Sequence, residues 1–159
     1  MGASSWRYIA PYAGDVAASL AAVRQREFER LFVHDTRWDG LRPAGQSFTS
    51  VGDLDDLWED EALGGEGTHT IIDVWRVIDA EEYDDSHTVR PLPEEECIEI
   101  FGTSQPTPAD FERAQDRYAA GQPGSEELWG MPRWSAWCSP LRGTDGSITS
   151  IAFWGRSGD

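Results

Sequence analysis

The side chains able to do chemistry in this sequence are few and far apart. Three histidines (His34, His69, His87) and two cysteines (Cys97, Cys138) are spread over 159 residues. No two histidines have the spacing of a zinc-binding helix, and neither cysteine has a CxxC partner. No metal and no cofactor is therefore expected. A cysteine becomes a nucleophile only beside a histidine or a helix N-terminus that favours its thiolate. His69 is the candidate neighbour for Cys138; the plainer reading makes Cys138 a small core residue. Asp73 interrupts an apolar run, and a buried acid is costly unless paired. It is expected to pair with Arg76 or another arginine, with a general base as the alternative.

Two further patterns fail on closer reading. Gly64-Gly65-Glu66-Gly67 follows a helical stretch and precedes a strand-like one, the reverse of a phosphate-binding loop, and it has no lysine. Asp53, Asp55 and Asp56 lack the glycine and glutamate offsets of a calcium loop. The polar groups that remain could still share a pocket. His69, Asp73, Arg76 and Cys138 would sit in it, walled by Trp75, Trp134 and Trp137. That is the small-molecule or enzymatic reading, and it ranks below binding because no motif specifies a reaction.

Charge favours the binding reading. The formal net charge is −16, and every basic residue is arginine. Residues 1–49 carry six Arg against five acids, residues 50–99 two against seventeen, and residues 100–159 five against seven. One third of the chain thus makes nearly all of the field. Such a field repels nucleic acid and anionic membrane surfaces, since phosphate binding needs clustered cations. It attracts a basic protein and speeds the encounter. The candidate contact residues are Asp55, Asp56, Trp58, Glu59, Tyr83, Asp84 and Asp85, acids around aromatic anchors, with Glu94-Glu95-Glu96 nearby. A plain solvated face is the alternative reading of the same acids. The expectation is an acidic protein-binding module, such as an immunity protein or antitoxin that blocks a basic toxin enzyme.

The elements that must position these residues follow from periodicity and caps. The length fits a single domain over residues 1–159, and a domain of that size buries roughly 70% of its unfolded surface. Eight tryptophans help fill the core. Trp6, Tyr8 and Ala10 alternate in a strand that ends near Pro11. Asp15 caps a helix carrying Val16, Leu20, Val23, Phe28 and Leu31. Residues 34–49 read as loop. Ser50-Val51-Gly52-Asp53 resembles a capping box before a short helix to about Ala62. Thr68–Ile78, rich in β-branched and aromatic residues, reads as a central strand. Residues 94–101 read as a helix between Pro93 and Gly102, and Thr107-Pro108-Ala109-Asp110 opens another that ends at Gly121. Leu128-Trp129-Gly130-Met131 reads as a lid or plug. A hairpin turning at Asp145-Gly146 closes the chain. The fold class expected is α+β: four to five strands, antiparallel or mixed, about four helices, and a C-terminal hairpin.

No apolar run is long enough to span a bilayer, and the first residues show no secretory signal. A cytoplasmic location with free thiols is expected. Three blocks of residues also carry a resemblance. They are Pro11-Tyr12 with Asp15, Leu20, Arg24 and Arg26-Glu27-Phe28; Gly67-Thr68 with Ile71-Ile72-Asp73 and Arg76-Val77; and Phe101-Gly102-Thr103 with Pro106-Thr107. In these the chain resembles a group of small bacterial proteins of unassigned function. The resemblance implies a stand-alone domain and lends no catalytic residue.

Overall fold

Trp6 and Ala10 face inward and Arg7 and Ile9 outward along strand β1, Ser5–Pro11, as the alternation predicts. The computed structural model describes residues 4–34, 48–59, 65 and 67–158, and for residues 55–57 and 59 the backbone alone. The Asp15 carboxylate accepts from the Ala18 N–H and starts helix α1, Val16–Phe28, which relaxes into a π-helical turn over Glu29–Val33. Strands β2 (Arg76–Val77) and β3 (Thr88–Pro91) follow, then helices α2 (Glu94–Phe101) and α3 (Pro108–Ala119). Strands β4 (Ser135–Arg142) and β5 (Ile148–Arg156) form the expected C-terminal hairpin.

The five strands make one mixed sheet in the order β1-β5-β4-β3-β2. β5 pairs antiparallel with both β1 and β4, while β3 runs parallel to β4 and to β2. Both faces are covered. Ala136, Cys138, Ile151 and Phe153 point to the side of α1, where they pack with Leu20, Val23 and Ile71. Trp137, Ala152 and Trp154 point to the other side, where Ile100, Phe101, Phe111 and Ala114 of α2 and α3 cover them. A strand buried on both faces reads as a continuous apolar run, which is how β5 reads. Leu128 and Met131 plug this second layer, and the Trp154 indole N–H donates to the Leu128 carbonyl at 2.8 Å.

Two expectations are corrected. Thr68–Ile78 is not a strand. Thr70 caps a single 3-10 turn, Ile71–Asp73, and only Arg76 and Val77 join the sheet. The β-branched residues there are needed for burial, not for pairing: Ile71, Ile72 and Val74 are wholly buried beside α1. There are also three α-helices among the described residues rather than four, because Val51–Glu59 forms a 3-10 helix. Glycine and three aspartates within nine residues favour α-helix poorly. Asp53 holds its start by accepting from the Thr49 and Ser50 N–H groups. The loop predicted over residues 34–49 falls mostly outside the described residues.

The cap of α3 is present as a full capping box. The Asp110 carboxylate accepts from the Thr107 N–H and hydroxyl at 2.9 and 2.8 Å, and the Asp110 N–H donates back to the Thr107 hydroxyl. The Thr107 N–H chiefly, with the Thr107 hydroxyl and Arg113, holds the Asp110 carboxyl below the usual carboxylate range. A carboxyl whose pKa is lowered by folding adds stability above its unfolded value, and loses it as pH falls through the folded value. Asp110→Ala is expected to cost about 1 kcal/mol at neutral pH. That difference from the wild type should vanish at strongly acidic pH, as read from urea denaturation at several pH values.

Candidate functional site

Arg90 is a charged residue set into a nearly dry place. It lies on β3 with its side chain 7% exposed, and its guanidinium carbon sits 5.2 Å from the centre of the Trp137 ring. Three acceptors hold it. Nε donates to Asp84 at 3.1 Å, the two terminal nitrogens grip Glu96 at 3.0 and 2.9 Å, and one also reaches the Ala80 carbonyl. Burial acts to lower the Arg90 pKa and is the largest single influence. The bonds and charges of Glu96 and Asp84 outweigh it, so the pKa lies above the ordinary arginine value. Asp84 is fixed in turn by the Trp137 indole N–H at 3.0 Å.

This arrangement folds two acidic segments toward one another. The loop from β2 to β3 and the first turn of α2 become the walls of a groove of about 630 Å3, which includes Arg90. Glu81, Glu82, Asp84, Glu94, Glu95 and Glu96 all line it. Asp84 and Glu96 are committed to Arg90, and Glu82 accepts from the Asp79 N–H. Among the described residues, Glu81, Glu94 and Glu95 have no ionic or hydrogen-bonded partner for their carboxylates. The Tyr83 ring stands beside them 97% exposed.

Of the contact residues expected from the sequence, Tyr83 and Asp84 line this groove. Asp84 belongs to it in position, but its side chain is only 16% exposed and is consumed internally. Asp85 pairs with Arg76 at 3.1 Å on the open surface. Trp58 is partly buried, and its ring lies 5.4 Å from Trp75 and 6.0 Å from His87. The side chains of Asp55, Asp56 and Glu59 lie outside the described residues. Sequence reading passed over Arg90, the residue that organises the groove. An arginine midway between two acidic runs, on a strand with small and apolar neighbours, was the available signal.

The residues of the candidate pocket are brought together only in part. Asp73 is fully buried, and no arginine among the described residues pairs with it. One oxygen accepts from the Thr68 N–H and hydroxyl, both at 2.7 Å; the other accepts from the His69 N–H at 3.0 Å and from the Ser157 hydroxyl. Four donors satisfy the carboxylate, so it serves as a fastener. Arg76 points away to Asp85. Trp137 lies in the opposite core layer, and Cys138 is wholly buried in the α1 layer. Burial pushes the Cys138 thiol far up, so it stays protonated and inert. Both cysteines are free.

Around Asp73 the backbone is strained. His69, His87 and Trp134 have φ of 57°, 64° and 63°, a left-handed conformation that side chains other than glycine seldom adopt. His87 stacks on Trp75 at 4.0 Å and lies 5.3 Å from Trp134. Its Nδ1 meets the Asp73 carbonyl at 2.8 Å. A carbonyl only accepts, so Nδ1 donates in this contact, and in the neutral ring Nε2 is the acceptor. Among the described residues no group of His, Cys, Asp and Glu is placed to hold a metal ion, and no helix is long and apolar enough to cross a membrane. Compared with known proteins, the chain matches no family model, no curated protein and no solved structure.

Proposed function

We propose that this protein is a binding module for a basic protein, and that it acts as an immunity protein or antitoxin does, by covering a basic toxin enzyme. The observation that carries this reading is the groove, where unpaired carboxylates from two chain segments converge beside a fully presented tyrosine. Its one cation is already neutralised by Asp84 and Glu96. A net charge of −16 would steer a cationic partner from a distance. The free carboxylates of Glu81, Glu94 and Glu95 would then receive its arginine or lysine side chains, with Tyr83 as the aromatic anchor.

The test uses a fluorescent arginine-rich peptide and anisotropy at several salt concentrations. The triple variant Glu81→Gln, Glu94→Gln, Glu95→Gln is expected to bind about tenfold or more weakly and with a shallower salt dependence. A second triple variant, at the exposed Glu99, Asp116 and Glu126, removes equal charge away from the groove. Equal losses in the two triples would mean that only net charge matters and that the groove is not the site.

A second reading is favoured by the strained backbone at His69, His87 and Trp134, because such strain gathers at ligand clamps. In it, a flat small molecule stacks on the 42%-exposed Trp75 and donates to His87 Nε2. Its test is NMR of the His87 ring during a fragment titration. A ring signal that never moves would remove this reading.

A further inference from the structure

On the far edge of the sheet the fold leaves donors without acceptors. Arg7 projects outward from edge strand β1, and one terminal nitrogen donates to the Gln115 side-chain oxygen at 3.1 Å. That bond fixes the Gln115 amide, because the flipped amide would set donor against donor. Gln115 is only 4% exposed, and its Nε2 is buried with no partner among the described residues. The Trp129 indole nitrogen is likewise buried with none among them. Arg7, Gln115 and Trp129 line one groove of about 330 Å3, together with Trp6 and Tyr118. Buried donors without partners are uncommon in folded proteins, and each costs about 1–3 kcal/mol. Two of them on one groove call for an acceptor there.

The chemistry of that acceptor can be narrowed. Every free polar group named is a donor, and no carboxylate lines the groove. Glu112 approaches Arg7 only to 3.9 Å, with both side chains about half exposed, which makes a weak pair. The Trp6 N–H is already given to Ser157 at 3.1 Å, so that ring offers apolar surface alone. A single arginine beside neutral donors suits one negative charge; a dianion would be disfavoured by a chain of net charge −16. The rings of Trp6, Tyr118 and Trp129 suit a flat apolar body.

We propose that this groove binds a small aromatic carboxylate. Its carboxylate is held by Arg7, the Gln115 Nε2 and the Trp129 indole N–H, and its ring lies against Trp6. Tyr118, 45% exposed and 6.0 Å from the Trp129 ring, swings aside as the ligand enters, because the two unpartnered nitrogens are closed to solvent.

Calorimetric titration with benzoate tests this, with benzamide and benzylamine as controls on the same full-length protein. Benzoate is expected to bind, benzamide more weakly and benzylamine not at all. Arg7→Met, Gln115→Leu and Trp129→Phe should each weaken benzoate about tenfold, the loss of one charge-assisted or buried hydrogen bond. Circular dichroism checks that each variant folds. Arg7 is on the surface, so its variant remains informative should a buried one unfold. No benzoate binding would overturn the proposal and leave bound water as the acceptor. Equal binding by wild type, Arg7→Met and Trp129→Phe would overturn it too, by placing benzoate elsewhere.

Discussion

Asp73→Ala is expected to lower the unfolding free energy by about 2–6 kcal/mol, because it orphans two backbone N–H groups at about 1–3 kcal/mol each. Those groups belong to Thr68 and His69. The Thr68 hydroxyl keeps Thr70 as a partner, and the Ser157 oxygen still accepts from the Trp6 indole N–H although its O–H loses its acceptor. Denaturant titration would read the loss. Asp73→Asn has nearly the same shape but turns a donor toward at least one of the four donors, so it should fall between alanine and wild type. Were Asp73→Ala as stable as the wild type, the carboxylate would not be the fastener described. The effect is also expected to reach Trp6 through Ser157, as a change in its near-ultraviolet dichroism.

Arg90→Met is the other large effect. It leaves Asp84, 16% exposed and bonded to Trp137, without its counter-charge, while the more exposed Glu96 can turn to water. Breaking a buried ion pair on one side costs about 3–5 kcal/mol. Adding Asp84→Asn should recover part of that, since an uncharged pair has less to lose. Arg90→Lys keeps the charge but cannot grip Glu96 with two nitrogens, and should fall between the two. The groove gives an independent readout. Without Arg90 its two walls lose their tie, so binding of a basic peptide should change along with stability. A double variant no more stable than Arg90→Met alone would mean that Asp84 is not the group left stranded.

Much of the fold was legible because its signals are local. Asp15, Thr107-Pro108-Asp110, Gly102 and the Asp145-Gly146 turn mark element ends through bonds that reach no further than a few residues, and the structure places each as read. The alternation of β1 and the apolar run of β5 likewise gave the sheet its inner surfaces. What misled was residues 68–78. Their β-branched composition reported burial, and a buried turn satisfied by one carboxylate looks the same in sequence as a central strand. The short helix read from the Ser50 cap to about Ala62 is a 3-10 helix over Val51–Glu59, and residues 60–62 lie outside the described residues. At the site, acidic residues could be counted but not sorted. Asp84 and Glu81 look alike in sequence, yet one is locked to Arg90 and Trp137 while the other is free. Only tertiary contacts with Arg90, Trp137 and Ala80 decide which acids remain available.

The strand order carries a consequence for how the chain reaches this state. β4 and β5, the last two strands, supply the middle of the sheet, and among the described residues β1 has no sheet neighbour except β5. Trp6 meets Ser157 across 151 residues, and Ser157 also completes the bonds around Asp73. Before residues 135–157 are made, only the short β2–β3 pairing can form. The first strand therefore waits through synthesis without its strand partner. Closing so long a loop is the late and costly entropic step of folding, and sheets dominated by such distant pairs fold in milliseconds to seconds rather than microseconds. The strong like charge of residues 50–99 is present on the chain throughout that wait, and it would hold incomplete chains apart until the sheet can close.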